Sequence, residues 1–325
     1  IFHYYKTYYS ENTNFNDESI FIYIKSGTGL NHFQKQITPF LKDSSTFFNA
    51  AYKTKYVMNI KPGKYEIKKG FSNKEIINSL RSKNIPVKVT FNNLERIEDL
   101  ASKISKMIEA DSISLMKSFM DTDFLLNNQL TKESVFAIFL PNTYEFYWNT
   151  DSTQFRDRML NQFNTFWNSS RLNKADSIDM SPVQVSILAS IVQRETPKPD
   201  ERPTISGVYF NRLKKRMKLQ ADPTVIYSIK EKKGFDVKIR RVLYRDLKIN
   251  SPYNTYKYRG LPPGPIYMPD LISIESVLNL ENHNYLFFVA DVSRPGYHIF
   301  AKNLFQHNKN KKQYTSWLRK NKIRR

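Results

Sequence analysis

One carboxylate in this sequence occupies a position where carboxylates are costly. Within Ser181–Glu195 (SPVQVSILASIVQRE), Val185, Leu188 and Val192 recur at spacings of three and four, which predicts a helix with one apolar stripe. Glu195 is the next member of that stripe. A buried carboxylate costs free energy unless it is paired or protonated. Thr196-Pro197 stops the helix, so Glu195 falls in its last turn, at the negative end of the helix dipole. Burial and dipole both favour the neutral acid and raise its pKa. A carboxyl group still protonated near neutral pH is what general-acid catalysis requires. The competing reading is a salt bridge from Glu195 to Arg194, Arg202 or Arg212, all near it in sequence.

Other chemistries lack their residues. The chain has no cysteine, which excludes disulfides, thiol nucleophiles and Cys-ligated metals. His283, His298 and His307 show no HxxxH or HExxH spacing and read as structural or surface residues, so no metal site is expected. Gly27-Thr28-Gly29 starts like a dinucleotide fingerprint, but its sixth position is His32. No Gly-x-Ser-x-Gly elbow occurs, and nothing calls for a cofactor.

The elements that must position Glu195 follow from periodicity and punctuation. Ser181 is a natural N-cap, with Pro182 at the first helical position. Helices over Pro203–Arg216 and Pro223–Ile229 also begin at proline, with Asp222 placed to cap the second. Ser251–Ile266 is an extended, turn-rich loop, and Asn284–Ala290 with Gly296–Ala301 reads as a hairpin. Val135–Trp148 is apolar and aromatic around a Pro–Asn turn, and the polar stretch Asp121–Lys132 marks a boundary before it.

Toward the start of the chain, Ser19–Lys25 alternates as a strand and Lys64–Lys69 is a second one. Helical patches at Leu30–Ile37 and Ser45–Tyr52 lie between them, a βααβ order. Ser72–Glu75 is a capping-box pattern ahead of Ile76, Ile77 and Leu80. Val87–Phe91 is a strand candidate, and Ile97, Leu100, Ile104 and Ile108 mark an amphipathic helix.

A length of 325 residues allows one large or two ordinary domains. With 40% hydrophobic residues, 20 Tyr and 23 Phe, the chain is a folding one. Only 9 Gly argues against Gly-rich phosphate loops and flexible linkers. The net charge of +21 calls for an acidic surrounding or partner: nucleic acid, anionic lipid or an anionic wall polymer. The basic residues are spread through the chain, and only Lys309–Arg325 is dense, which speaks against nucleic acid. No apolar run of 18 residues is present.

The runs LASIVQRET (188–196), ERPTISGVYFNRLKKRMKLQADPTVIYSI (201–229) and SPYNTYKYRGLPPGPI (251–266) resemble the endolytic murein transglycosylase, or YceG-like, family. YLFFVAD (285–291), GYHIF (296–300) and LPNTYEFYW (140–148) extend the likeness in family order. The resemblance implies an α+β fold. A small LysM-like βααβ module precedes a mixed α/β catalytic domain with helices, short strands and a C-terminal hairpin. It divides the chain into a juxtamembrane segment (1–18), the LysM-like module with a helical connector (19–128) and a YceG-like catalytic domain (129–325). One departure stands out. Where the family often has Leu-Glu-Gly, this chain has Val135, Phe136 and Ala137, leaving Glu145 as the nearest acidic substitute.

The implied activity is a lytic transglycosylase acting inside peptidoglycan strands during wall synthesis. It would cleave the MurNAc-β-1,4-GlcNAc bond and leave 1,6-anhydro-MurNAc ends. The family's catalytic glutamate falls on Glu195, the residue singled out above on physical grounds. Such a reaction needs no water: Glu195 protonates the glycosidic oxygen, then takes the proton of the C6 hydroxyl as that oxygen attacks C1. A hydrolase would want a second carboxylate roughly 5–9.5 Å away; Asp222 is the candidate, with helix capping as its competing role.

For substrate contacts, the segments around the acid offer Asn211, Arg212, Gln220, Asp222, Thr224 and Tyr227, then Ser251, Tyr253, Asn254 and Tyr256. Each has a competing role in loop architecture. Arg212 could meet a peptide-stem carboxylate or an acidic neighbour, and Pro262–Pro265 reads as a rigid wall. The resemblance further implies an N-terminal membrane anchor absent from this chain, a place at the cell (inner) membrane with the catalytic part outside the cytoplasm, and penicillin-binding wall synthases as partners. The alternative from a different class is a non-catalytic peptidoglycan-binding scaffold in which Glu195 is only structural.

Overall fold

The computed structural model describes residues 2–239 and 241–321. They form two compact units that alternate along the chain. The first runs to Thr90 and adds Ala101–Met116 and Thr143–Phe155. The second comprises Phe91–Leu100, Lys117–Asn142 and the chain from Arg156 onward.

In the first unit, α1 (Phe2–Tyr8) precedes β1 (Ser19–Ile24), α2 (Leu30–Ile37), α3 (Ser44–Lys53) and β2 (Gly63–Lys68). The two strands pair antiparallel, with Ser19 opposite Lys68 and Ile24 opposite Gly63, so the expected βααβ order is formed. Strand alternation sends Ile22 and Ile24 of β1 and Tyr65 and Ile67 of β2 into one core with Phe33, Ile37 and Phe47. Helix α4 (Asn73–Ser82) closes that core through Ile76, Ile77 and Leu80. It opens on the expected capping box, Ser72 N–H donating to Glu75 Oε2 at 2.8 Å.

Strand β3 (Pro86–Phe91) follows, and then α5 (Ile97–Ile104), one turn shorter than the periodicity through Ile108 predicts. The chain continues through α6 (Ser112–Phe119) and α7 (Thr122–Asn127) to β4 (Asn142–Tyr147), which pairs with β3, and α8 (Ser152–Phe166).

The rest of the second unit is α9 (Ser169–Ser177), α10 (Pro182–Glu195), α11 (Arg202–Lys214), α12 (Asp222–Lys233) and α13 (Leu271–Leu278). A hairpin, β5 (Phe287–Ala290) and β6 (His298–Ala301), comes next and is followed by α14 (Leu304–Lys320), which packs on both strands. Helix α10 departs from the one-stripe reading: Val185 to Val192 are all buried. It is the central helix, packed by α11, α12, α13 and the buried 3₁₀ turn Val135–Ile138. A helix apolar on every side belongs inside. Its serines are small and satisfied; Ser190 donates to the Ile187 carbonyl at 2.7 Å and accepts from Ile266 N–H at 3.1 Å.

Within the Pro-rich segment Pro262–Pro265 the backbone is closely packed, since a Cβ at Gly264 would collide with the Glu133 carbonyl. Among the described residues no helix is long and apolar enough to cross a membrane.

Candidate active site

Local sequence brings Glu195 to a defined point. Ser181 caps α10, its hydroxyl accepting from Gln184 N–H, and Gln184 returns the bond to Ser181 N–H at 2.8 Å. The helix ends at Glu195 because Thr196, preceding Pro197, is extended at φ −135°, ψ 135°. Glu195 then lies in the wall of a cavity of about 370 Å³ in the second unit. None of the arginines near it in sequence pairs with it. Arg194 meets Glu95, Arg202 meets Asp270, and Arg212 donates to backbone carbonyls. Instead Tyr209, fully buried on α11, donates its hydroxyl to Glu195 Oε1 at 2.6 Å.

These surroundings set the acid's proton affinity. Glu195 is half-buried by exposure, yet protein encloses it on every side except the cavity. Burial pushes its pKa up to about 7, reinforced by the negative charge of Asp222. The Tyr209 bond and the positive charges of His298 and Arg212 pull the other way without cancelling the rise. Tyr209, buried beside that carboxyl, is held well above the ordinary phenol value.

A second carboxylate–tyrosine pair lines the same cavity. Tyr256 donates its hydroxyl to Asp222 Oδ1 at 2.6 Å. Burial first, and then that bond, raise the Tyr256 pKa. The expected N-cap role of Asp222 is therefore not realised. Ala221 is the N-cap of α12, Asp222 is the first helical residue, and its carboxylate is engaged by Tyr256 instead. Gln220, in the left-handed region at φ 50°, and Arg212 complete this side of the cavity. Opposite in sequence, Phe287 and Phe288 of β5 and His307 and Lys311 of α14 also line it.

A carboxyl group poised near 7, held by a buried tyrosine and facing a cavity with a second carboxylate, is equipped for proton transfer to a bound substrate. The YceG-like family model matches residues 22–313. The chain belongs to the YceG-like family. It is 31% identical over 294 residues to the endolytic murein transglycosylase of Bacillus subtilis (strain 168), an alignment covering 84% of this chain and 78% of the relative. The endolytic murein transglycosylase of Streptococcus pneumoniae (serotype 2, strain D39) is 39% identical over 123 residues, 38% of this chain and 22% of that protein. Among solved structures, a YceG-like protein of Listeria monocytogenes superposes with a TM-score of 0.57 at 25% identity, over 90% of this chain and 99% of that one.

In this YceG-like chain the ten substrate-contact candidates separate into two groups. Arg212, Gln220, Asp222 and Tyr256 line the cavity with Glu195. The other six bond or pack within the protein. Asn211 donates to the carbonyls of His283 at 2.7 Å and Tyr285 at 3.1 Å, tying α11 to the segment before β5. Thr224 bonds the Ala221 carbonyl and Thr255, and Ser251 donates to Glu231. Asn254, wholly buried, holds the Leu247 and Ile249 carbonyls. Tyr227 and Tyr253 pack on each other at 4.6 Å between ring centres. Thr224, Ser251 and Asn254 thereby hold the loop that presents Tyr256.

Val135, Phe136 and Ala137 are buried in their 3₁₀ turn, and Glu145 lies on the exposed face of β4. His298, read as structural, bonds Glu201 through both its backbone N–H at 2.6 Å and Nδ1 at 2.8 Å, pinning β6 to the start of α11.

Sequence reasoning missed Tyr209, Phe287, His307 and Lys311 as site residues. Tyr209 had a signal: a tyrosine among buried helical positions needs a partner for its hydroxyl. The α14 residues had none, because a basic run near a chain end reads as a solvated tail.

Proposed function

We propose that this chain is an endolytic murein lytic transglycosylase, a lyase that breaks the MurNAc-β-1,4-GlcNAc bond within glycan strands and leaves 1,6-anhydro-MurNAc ends. The observation that carries this reading is Glu195: its pKa is near 7, Oε1 is oriented by Tyr209, and Oε2 has no protein partner among the described residues. The names and extents of the relatives support the substrate class.

In this mechanism the neutral acid of Glu195 donates its proton to the glycosidic oxygen as the C1–O bond breaks. Positive charge develops at C1 and the ring oxygen. Asp222, fixed by Tyr256, supplies negative potential in the same cavity. The Glu195 carboxylate then accepts the C6 hydroxyl proton while that oxygen closes on C1. Nucleophile and electrophile belong to one sugar, so no second nucleophile or water is consumed. Tyr209 keeps the same oxygen occupied through both steps and leaves the other to carry the proton.

In this proposal the reaction takes place at the outer face of the cell membrane, on nascent strands beside the penicillin-binding synthases. The β1–β2 unit would serve as the LysM-like glycan-binding module. Protease accessibility in intact protoplasts and co-purification with the synthases check the setting.

The chemical test is mass spectrometry of muropeptides after digestion of isolated glycan strands by the protein and by Glu195→Gln. Anhydro ends, lighter than reducing ends by one water and absent with the variant, are expected. Reducing ends would make the enzyme a hydrolase, with Asp222 as the second carboxylate. No cleavage by a folded wild-type protein would leave the binding scaffold.

A further inference from the structure

One wall of the cavity is basic, with Arg212, His307 and Lys311 in its lining. Arg212 is only 7% exposed, yet it forms no salt bridge among the described residues, and the carboxyl group that acts on it is that of Glu195 in the same cavity. Its Nε donates to the Leu286 carbonyl at 2.6 Å, and Nη1 donates to Leu219 at 2.6 Å and Lys218 at 3.3 Å. That leaves Nη2 without a protein partner among the described residues, on a side chain that lines the cavity. Helix α14 contributes His307 and Lys311 to the same lining, one turn apart on one helix face. The Phe287 ring links the two elements, with the Arg212 guanidinium 5.2 Å from its centre and the His307 ring stacked at 5.2 Å.

Lys311 has no acidic partner among the described residues, and His307 Nδ1 is buried with no hydrogen bond. Burial, and then the positive charges of Lys311 and Arg212, depress the His307 pKa, so that His307 offers a neutral imidazole beside two cations. A mostly buried guanidinium with an open N–H, beside a free ammonium, matches a carboxylate ligand.

We infer that Arg212, His307 and Lys311 form a carboxylate subsite that binds the acidic substituent of the muramic acid at the cleavage point, so that α14 selects strands by charge. This rests on the proposed lytic activity and goes beyond it. In the glycan and stem peptides of murein the anionic groups are carboxylates. They hang from the muramic C3 oxygen, two ring carbons from the C1 at which Glu195 acts. Two sources share that chemistry: the stem-peptide carboxylates, or the lactyl carboxylate itself once the peptide is removed.

The test uses four strand preparations: peptide-bearing, stripped by an amidase, and each of these with its carboxylates capped as methylamides. Wild-type KM should be about tenfold lower for a carboxylate-bearing preparation than for its capped form, as a charge-assisted contact in a partly enclosed site predicts. Lys311→Glu, a change at an exposed position, should erase that difference, and His307→Gln should reduce it. A preference confined to peptide-bearing strands assigns the stem as the source, and one confined to stripped strands assigns the lactyl group.

Equal KM on all four preparations with Glu195-dependent cleavage intact overturns the subsite and leaves the lytic reading standing. The converse is read by equilibrium binding of a short muramyl-peptide fragment and its methylamide to Glu195→Gln. A charge preference there, with no cleavage of any strand by wild type, overturns the lytic reading and keeps the subsite.

Discussion

The end of α10 and the start of α12 each present a carboxylate to one cavity, each bonded to a tyrosine hydroxyl at 2.6 Å. Their settings are otherwise opposite. Glu195 closes a helix buried on every side and stands at its negative pole, where the last carbonyls disfavour an added negative charge. Asp222 opens a helix, at its positive pole, and is followed at once by Pro223. Its tyrosine comes from a loop, whereas that of Glu195 comes from the buried face of α11. In the proposed mechanism two carboxylates with similar partners take different parts, Glu195 the proton and Asp222 a negative potential, and burial is what raises the pKa of Glu195.

The largest test of that division is on the proton carrier. Glu195→Gln keeps the volume and can still accept from Tyr209, but it cannot transfer a proton. Loss of activity by about a thousandfold or more is expected, measured as anhydro ends released per enzyme. A residue that keeps a tenth of the activity without its carboxyl group would not be the acid. Asp222→Asn removes only the held charge. The expected loss is about a hundredfold, in kcat more than in KM, as befits a group that acts on developing charge. If Asp222→Asn were instead as damaging as Glu195→Gln and the products were reducing ends, the two roles would be those of a hydrolase pair.

The same contrast appears in stability. The folded pKa of Glu195, about 7, is raised from the ordinary 4.5. Between those values the native state holds the proton that the unfolded chain has released, so stability falls as pH rises from 4.5 through 7. A rise of this size corresponds to at most about 3.5 kcal/mol, and the side chain's opening to the cavity reduces it to about 1–2 kcal/mol. Glu195→Gln should therefore stabilise the protein by about that amount above pH 7 and by little near pH 4.5. Urea unfolding at the two pH values checks it; an equal effect at both would mean that the carboxyl group is not held neutral by the fold.

Much of the framework is legible in the sequence, and the reasons differ by element. Helix α2 falls on Leu30–Ile37 as predicted, and the capping boxes at Ser72 and Ser181 form, because these signals are local. Glu195 was legible for a related reason: an acid continuing an apolar period is visible in the chain itself. Its partner was not, since the bond from Tyr209 depends on how α11 packs against α10. Asp222 shows the limit of a local rule. Its place before Pro223 suits a cap, but a tyrosine thirty-four residues later takes the carboxylate and shifts the cap to Ala221. The α14 wall was least legible, because a helix with no buried residue carries no pattern that distinguishes a cavity lining from a solvated surface.

The two tyrosines give the finest discrimination. Tyr209→Phe deletes the hydroxyl that stabilises the ionised form of Glu195, so the acid's pKa moves above 7 and the alkaline limb of the pH–rate profile moves up with it. The rate at the optimum should fall about tenfold, because one carboxyl oxygen loses its orienting bond. Tyr256→Phe releases Asp222 instead. A comparable or smaller loss is expected, with little displacement of the alkaline limb, since Tyr256 reaches Glu195 only through the charge it holds in place. Paired pH–rate profiles of the two variants decide the matter. A shift produced by Tyr256→Phe and not by Tyr209→Phe would reverse the assignment, making the mouth of α12 the proton-carrying end and the buried terminus of α10 its support.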